Sequence, residues 1–155
     1  MVRLAEKPPD RLAAWLSQMW VSYRNSLIEA GFTSDEADAN VQRNTTALFV
    51  DGAPNSDQRI FDVFEGDVVV GTLWLAPRRD GGSPDEWYIY DVAIEEEFRG
   101  RGLGRATMLA AESYVATNGG RRLALNVFGY NTVARALYDS LDYEVVAIAM
   151  RKEFG

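Results

Sequence analysis

Two residue types with distinctive chemistry are missing from this chain of 155 residues, which contains no cysteine and no histidine. Without cysteine there is no disulfide, no thiolate nucleophile and no cysteine-ligated zinc site. Without histidine there is no Ser-His-Asp or Cys-His triad, and the usual ligand for transition metals is also missing. Any chemistry must therefore depend on carboxylates, tyrosine, lysine, arginine and backbone groups.

Positive charge is also scarce, because 16 basic residues stand against 23 acidic ones and give a net charge of −7. This balance argues against partners such as nucleic acid or an anionic membrane, and it favours cationic substrates unless it serves only solubility. No apolar run approaches the ~18 residues of a membrane span, and the first residues lack the apolar stretch of a signal peptide. We therefore expect a cytoplasmic protein that binds no nucleic acid, membrane or metal.

The apolar periodicity predicts a single α/β (α+β) domain over residues 1–155, with a mixed, mostly antiparallel sheet flanked by helices. Strands and helices alternate in the second half, which gives a βαβ unit, and a turn-rich connection over 76–86 precedes it. The long last strand indicates dimer contacts, so we expect a monomer or a homodimer. The predicted strands cover 2–5, 59–64, 68–75, 87–94, 122–128 and 143–150, and the predicted helices about 10–30, 34–48, 103–117 and 131–141.

Local signals predict where the helices begin and end. Asp10 is expected to cap the first helix and Gly31 to end it. Thr33 and Glu36 form a capping box for the second helix. A third helix is expected to place Leu103, Ala106, Ala110 and Tyr114 on one face.

The turn before this third helix holds three arginines and three glycines in seven positions, RGRGLGR over 99–105. Basic side chains oppose the partial positive charge of a helix N-terminus, so Arg99, Arg101 and Arg105 are poorly placed unless an anion lies among them. A glycine-rich turn between a strand and a helix presents backbone N–H groups to phosphate oxygens. The alternative is a solvated loop whose arginines pair with the glutamates at 95–97.

The spacing within this turn excludes two common phosphate-binding motifs. A P-loop requires GxxxxGK[ST], and no lysine followed by serine or threonine is in place here. A dinucleotide fingerprint requires GxGxxG; Gly100 and Gly102 begin it, but position 105 is arginine and no acidic residue follows about twenty positions later.

Arg99-x-x-Gly102-x-Gly104 instead resembles the R/Q-x-x-G-x-G/A pyrophosphate loop of the GNAT superfamily of acetyl-coenzyme A-dependent N-acetyltransferases. The stretch IYDVAI (89–94) resembles that family's fourth strand, and LNVFGYNTVARALYDSLDYEV (125–145) resembles its fifth strand, asparagine-initiated helix and last strands. The spacing from Asn131 to Tyr138 matches the family's N-x6-Y pattern. The resemblance covers essentially the whole chain, is greatest to small bacterial members, and implies that the fourth and fifth strands splay apart.

The resemblance also implies how acetyl-coenzyme A would bind. The pantetheine arm would pair with fourth-strand backbone as an added strand, although the same residues also suit a core. Asn131 is expected to cap its helix and to make a secondary contact with the cofactor. The implied cofactor-binding residues are Val92, Ala93, Ile94, Arg99, Gly100, Arg101, Gly102, Leu103, Gly104, Arg105 and Asn131.

Two candidates for catalytic residues follow. Tyr138 matches the tyrosine that faces the coenzyme sulfur, where a protonated phenol can donate to a leaving thiolate; without the family pattern, a core role is the simpler interpretation. Many relatives carry a glutamate base on the fifth strand, but Asn126 stands there and cannot accept a proton. Asp91 interrupts an apolar strand and is the better acidic candidate, unless it is a buried structural acceptor, and Glu86 is second.

A second departure from the family is Asp142, which stands where glycine is usual and would adopt left-handed backbone geometry at a cost. The resemblance implies acetyl transfer from acetyl-coenzyme A to a primary amine (polyamine-like, drug-like or peptide) by direct attack on the thioester. The alternative is a non-catalytic acyl-coenzyme A-binding or regulatory protein that has lost its base. Aromatic residues that could line an acceptor pocket are Trp15, Trp20, Tyr23, Trp87 and Tyr90.

Overall fold

The computed structural model describes residues 1–50, 53–78 and 83–155. The helices are α1 (Pro9–Glu29), α2 (Ser34–Leu48), α3 (Leu103–Thr117) and α4 (Thr132–Ser140). The strands are β1 (Arg3–Glu6), β2 (Phe49–Val50), β3 (Ala53–Pro54), β4 (Arg59–Glu65), β5 (Val68–Pro77), β6 (Glu86–Ile94) and β7 (Arg122–Leu125).

Five of the strands form one sheet in the order β1-β4-β5-β6-β7, and β2 pairs with β3 separately. All neighbours in the large sheet are antiparallel except β6 and β7, which are parallel and are joined through α3. This confirms the predicted mixed, mostly antiparallel sheet and its βαβ unit. The predicted β4–β5 hairpin is also confirmed, with Glu65 opposite Val68 across the tight turn.

The two faces of the sheet bury different cores. On one face α3 packs through Leu103, Met108 and Ala111 against apolar side chains of β4, β5 and β6. On the other face α1 packs on Ile60 and Trp74, and the apolar contacts there are largely aromatic. Residues that alternate along the central strands therefore divide between a mixed apolar layer under α3, which includes Phe61 and Trp87, and a largely aromatic layer under α1.

The helix boundaries follow the local signals with one exception. The capping box is present, because the Thr33 hydroxyl accepts from the Glu36 amide at 3.2 Å and the Glu36 carboxylate accepts from the Thr33 amide at 2.8 Å. Gly31 follows α1 with φ +102°, as a helix-ending glycine should. The prediction that Asp10 caps α1 is wrong: Pro8 is the cap residue, Pro9 is the first helical residue, and Asp10 lies in the first turn.

Four further predictions need correction. The buried face of α3 consists of Leu103, Thr107, Met108, Ala111 and Val115, so Ala106, Ala110 and Tyr114 lie at its margin. Strand β7 ends at Leu125 rather than at 128, and the segment 143–150 forms no strand. The connection predicted over 76–86 is shorter because β5 reaches Pro77, and its residues 79–82 lie outside the described residues.

Within the three described ranges, no helix combines the length and apolar character that crossing a membrane requires.

Candidate active site

The candidate site begins where β6 and β7 separate. The two strands pair from Glu86 opposite Arg122 to Ile89 opposite Leu125, and there the pairing stops. From Tyr90 to Ile94 the only neighbour of β6 within the described part of the chain is β5. The register shifts at this point, because Trp74 faces Asp91 whereas Leu75 faces Ile89, so β6 carries an extra residue that bends it away from β7. The predicted splay is confirmed, and it leaves one edge of β6 without a strand partner.

Asp91 lies on β6 just beyond this separation, opposite Trp74. It is partly buried, and among the described residues it has no hydrogen-bond or ion-pair partner. Burial raises the pKa of its carboxyl group to about 6, even though the positive charge of Lys7 lowers that pKa. A carboxylate of this kind is ionised at neutral pH and is basic enough to accept a proton, as a general base must.

Tyr138 lies on α4, packed against the core next to Tyr143, with 5.9 Å between the two ring centroids. Burial raises the pKa of its phenol, and the negative charge of Asp91 raises it further. Tyr138 is therefore protonated at neutral pH and can donate a hydrogen bond. Because Asp91 acts electrostatically on Tyr138, and Lys7 on Asp91, the fold brings the two predicted catalytic side chains into one environment.

The glycine-rich turn has the backbone geometry of an anion-binding loop. Gly100 and Gly102 have φ of +75° and +78°, and a Cβ atom at either would meet nothing within 4 Å. Gly102 is the cap residue of α3 and supplies no side chain, so among the described residues no side chain caps the first amides of the helix. Those amides carry the positive end of the helix dipole. An anion has both room and donors at this turn.

The arginines of the turn have protein partners, which corrects the sequence argument about them. Arg99 donates from Nε to the Ile94 carbonyl at 2.8 Å, and Arg101 pairs with Glu65 at 2.6 Å between Nη2 and Oε2. Arg105 donates to the Ser140 hydroxyl at 2.9 Å. These positions are therefore explained without an anion. The alternative partners, the glutamates at 95–97, are not the ones used, and the case for phosphate binding rests on the amides.

The other implied cofactor residues lie around the same corner. Val92 and Ile94 pack against the α3 core, whereas Ala93 is exposed on the opposite face. Gly104 faces Leu137 of α4, where a Cβ atom would sit 3.5 Å from the leucine side chain. The predicted cap is confirmed, because the Asn131 side chain accepts from the Ala134 amide at 3.2 Å.

Three residues singled out from the sequence lie elsewhere or play other parts. Glu86 lies at the opposite end of β6 from the separation and pairs with Arg78 at 3.7 Å, so the fold does not bring it to Asp91. Asn126 follows the end of β7 and is exposed. Asp142 has φ +65°, which confirms the left-handed geometry expected where the family uses glycine.

The aromatic candidates for an acceptor pocket divide between the two faces of the sheet. Trp15, Trp20 and Tyr90 pack around Trp74 in the aromatic layer, and Tyr90 stacks on Trp74 with ring centroids 5.0 Å apart. Trp87 instead belongs to the α3 core, so it is on the wrong face for a pocket shared with the others. Tyr23 is close to Trp20 and donates to Asn40 at 2.9 Å.

Sequence reasoning missed a buried polar network beside Asp91. Asp62 on β4 is 1% exposed and accepts from Lys7 at 2.5 Å and from Arg11 at 2.7 Å. The Lys7 ammonium also donates to the Thr72 hydroxyl at 3.2 Å. Asp62 interrupts an apolar strand just as Asp91 does, so the same signal would have found it. Unlike Asp91, it is neutralised by two cations.

A family model described as the acetyltransferase (GNAT) family matches residues 12–143. The chain is 31% identical over 85 residues to the uncharacterized N-acetyltransferase YycN of Bacillus subtilis (strain 168), which is 55% of this chain and 54% of YycN. It is 26% identical over 142 residues to the mycothiol acetyltransferase of Corynebacterium glutamicum (strain R), which is 92% of this chain and 45% of that protein. The chain therefore spans about half the length of the curated relatives it matches.

Solved structures share the architecture. The crystal structure of YycN from Bacillus subtilis aligns with a TM-score of 0.89 at 23% identity and covers 99% of both chains. AAC(6')-Iy, in complex with the bisubstrate analogue CoA-S-monomethyl-acetylneamine, aligns with a TM-score of 0.60 at 16% identity, covering 100% of this chain and 99% of that one. At these identities the likeness shows the fold, and the predicted fold class is confirmed.

Proposed function

Since the chain belongs to the acetyltransferase (GNAT) family, we propose that it transfers an acetyl group from acetyl-coenzyme A to a primary amine of a small molecule or peptide, with residues 1–155 acting as one domain. The observation that carries this proposal is the electrostatic interaction of Asp91 with Tyr138 where β6 separates from β7. Asp91 can accept a proton and Tyr138 can donate one, and the negative charge of Asp91 raises the pKa of the Tyr138 phenol. The family uses acetyl-coenzyme A, which supplies an activated acetyl thioester.

The backbone around the site suits the two polar parts of that cosubstrate. The uncapped amides at the start of α3 would hold the pyrophosphate, supported by the turn 99–105. The free edge of β6 over Val92–Ile94 would pair with the amides of the pantetheine arm, as an added strand does. Asn131 would contribute a secondary contact from the start of α4. These roles require main-chain groups above all, so they do not depend on freeing the arginines from their partners.

The acceptor amine must lose a proton to become a nucleophile, since an amine resembling lysine has a pKa near 10.4. Asp91 would attract the ammonium group and accept that proton, directly or through water. Tyr138 would donate to the departing sulfur. A carboxylate in the buried site and a net charge of −7 both favour a cationic acceptor. The neamine-derived analogue bound by AAC(6')-Iy and the name of the mycothiol enzyme are consistent with acceptors that are small molecules.

The alternative is a non-catalytic protein that binds acyl-coenzyme A. Asn126 favours it, because many relatives carry a glutamate base at the comparable place and asparagine cannot accept a proton. Both functions require the coenzyme site, and only the first requires Asp91 to act as a base. Only acetyl transfer releases free coenzyme A and an acetylated amine, so an experiment that detects these products distinguishes the two functions.

The experiment has two stages. A thermal-shift titration with acetyl-coenzyme A should raise the melting temperature, because a ligand that binds only the folded state stabilises it. A thiol-release assay over a panel of polyamines, aminoglycosides and peptide amines should then identify at least one acceptor. Stabilisation without thiol release from any amine would favour the non-catalytic alternative, and absence of stabilisation would contradict both.

A further inference from the structure

Lys7 is a buried cation in a cluster that carries more positive than negative charge. Only 4% of its side chain is exposed, and its ammonium donates to Asp62 at 2.5 Å and to the Thr72 hydroxyl at 3.2 Å. Arg11, whose side chain is 44% exposed, donates to the same Asp62 carboxylate at 2.7 Å. Arg11 alone could neutralise Asp62, and burying a second cation is costly unless another interaction compensates. The ion pair with Asp62 therefore does not by itself explain why Lys7 is buried.

The register of the sheet places this cluster beside Asp91. Asp62 on β4 lies opposite Thr72 on β5, and Trp74 on β5 lies opposite Asp91 on β6. Thr72 and Trp74 are two positions apart, so their side chains lie on the same face of the sheet. Asp91 is therefore the diagonal neighbour of Thr72, an arrangement in which residues are roughly 7–8 Å apart. The hydroxyl that accepts from Lys7 belongs to the row of side chains next to Asp91.

The charged and titratable groups around Asp91 come from several elements. They are Lys7 between β1 and α1, Arg11 on α1, Asp62 on β4, Tyr90 on β6 and Tyr138 on α4. The positive charge of Lys7 lowers the pKa of the Asp91 carboxyl group and so opposes the effect of burial. With Asp91 ionised, the two cations of the cluster face two carboxylates, so that its charges balance.

We propose that Lys7 is a positioning residue for the base of the reaction: its ammonium, fixed by Asp62 and Thr72, keeps Asp91 an ionised carboxylate at neutral pH. This inference rests on the proposed function, because that function makes Asp91 the base. In the step it serves, an N–H bond of the acceptor ammonium breaks, the proton goes to a carboxylate oxygen of Asp91, and the electron pair stays on the nitrogen. Only the ionised carboxylate can accept that proton.

A purely structural role for Lys7 leads to a different expectation. If Lys7 served only to neutralise Asp62, its removal would lower the stability of the protein and leave the titration of Asp91 where it is. The protonation state of Asp91 therefore distinguishes the two roles, and it can be measured without any substrate.

The first test follows the carboxyl carbon of Asp91 by ¹³C NMR, with its signal identified by its absence in Asp91→Asn. The wild-type midpoint should lie at about pH 6. In Lys7→Met, which removes the charge and keeps an unbranched side chain, the midpoint should rise by about one pH unit, the size expected for a unit charge roughly 8 Å away at an effective dielectric constant of about 20. Lys152→Met is the matched control, because it removes an exposed lysine near the end of the chain and should leave the midpoint unchanged.

A second pair of variants covers the case in which Lys7→Met does not fold because Asp62 has lost a partner. Asp62→Asn is compared with Lys7→Met/Asp62→Asn, so that neither protein contains a charged Asp62 and the two differ only at Lys7. The midpoint of Asp91 should again be higher in the protein without Lys7. An Asp91 midpoint that does not rise when Lys7 is removed would overturn the proposal, whatever happens to stability.

The kinetic test uses an amine that the wild type acetylates. The acidic limb of kcat/KM should move to higher pH in Lys7→Met by the same amount as the NMR midpoint, and it should not move in Lys152→Met. A limb that stays in place while the NMR midpoint rises would overturn the role of Lys7 in the reaction. Failure of the proposed function has a different signature, since no amine would then be acetylated even though the NMR midpoint still responds to Lys7.

Discussion

The carboxyl group of Asp91 is held in a place that disfavours its charge. Its pKa rises from an ordinary 3.8 to about 6 because burial removes water from the carboxylate. A folded-state pKa above the unfolded value means that folding favours the protonated form. The destabilisation is therefore absent below about pH 3.8, develops between pH 3.8 and 6, and is complete above pH 6. A rise of this size corresponds to about 3 kcal/mol.

Asp91→Asn should therefore stabilise the protein at pH 7 by up to about 3 kcal/mol, since the amide keeps the shape and removes the charge. The stabilisation should disappear near pH 3.8, where the wild-type carboxyl group is protonated as well. Urea unfolding of both proteins at the two pH values measures it. An equal difference in stability at both pH values would show that the effect does not come from ionisation.

Asp62→Asn is the matched control, because Asp62 lies on the same face of the sheet but is fully buried and is paired with Lys7 and Arg11. Removing one partner of a buried ion pair leaves an uncompensated charge and typically costs 3–5 kcal/mol, so about that loss is expected here. The two substitutions are chemically identical and should have opposite signs at pH 7. Stabilisation by Asp62→Asn would contradict the assignment of the two environments.

Tyr138→Phe tests the second catalytic candidate. If the phenol donates to the leaving thiolate, its loss should lower kcat by about 10²-fold, the low end for general acids, since a thiolate leaves readily. Affinity for acetyl-coenzyme A and the melting temperature should change little. Steady-state kinetics and thermal unfolding measure these quantities separately.

Tyr143→Phe provides the comparison for that variant. Its hydroxyl donates to Glu112, so the substitution should cost about 1 kcal/mol of stability and leave kcat per folded molecule unchanged. If Tyr138→Phe instead loses stability and keeps its kcat, while chemistry is rate-limiting, Tyr138 is a core residue.

At the scale of the element, the start of α3 requires a left-handed backbone conformation, which residues that carry a side chain adopt only at a cost. Gly102 is the cap residue of α3 and has φ +78°, although nothing crowds the place of a Cβ atom. The glycine is thus required for its conformation rather than for space. The same conformation directs the first amides of the helix toward the proposed pyrophosphate position.

Gly102→Ala should destabilise the protein by about 1–2 kcal/mol, the cost of left-handed backbone in a residue with a side chain, and should weaken acetyl-coenzyme A binding. Gly129→Ala is the control, because that position is also open but lacks the positive φ. It should leave binding unchanged and keep or slightly raise stability. Calorimetric titration and thermal unfolding provide the readouts, and equal effects of the two substitutions would contradict the account of the turn.

Elements with local signals were predictable from the sequence, and elements that need a distant partner were not. The capping box at Thr33 and the β4–β5 turn involve residues within four positions of each other, so their patterns were sufficient. The segment 143–150 has strand composition, but a strand forms only against an available edge, and the fold carries this segment away from its own sheet. The buried face of α3 differs from the predicted one because Thr107 can be buried there: its hydroxyl donates to the Leu103 carbonyl at 2.7 Å.

The same difference between local signals and distant partners applies to the residues of the candidate site. Asp91 was identifiable because an acidic residue interrupts an apolar strand, and Tyr138 because of its spacing from Asn131. The sequence could not distinguish Asp91 from Asp62, since the cations that neutralise Asp62 lie 55 and 51 positions away. Nor did the sequence indicate that the arginines of the turn would find partners on β4, β6 and α4.

At the scale of the whole molecule, the site lies where the two layers of the fold meet. The α3 layer positions Tyr138 and the glycine-rich turn, and the α1 layer positions Lys7 and the aromatic residues around Trp74. The strands β6 and β7 separate at this point. Asp91 there interacts electrostatically with Lys7 from the α1 layer and with Tyr138 from the α3 layer. We propose that acetyl transfer takes place at this opening, with Asp91 as the base.

The most direct test of this role is the pH dependence of kcat/KM for acetyl transfer in the wild type and in Asp91→Asn, with the best amine from the panel. Ionised Asp91 is the active form, so the wild-type value should fall as the pH drops through about 6. Ionisation of the amine affects both proteins equally and cancels in their ratio. The ratio of the wild-type kcat/KM to that of the variant should be large above pH 6 and should decline below it. A ratio near one, or one that is independent of pH, would contradict the role of Asp91 as the base.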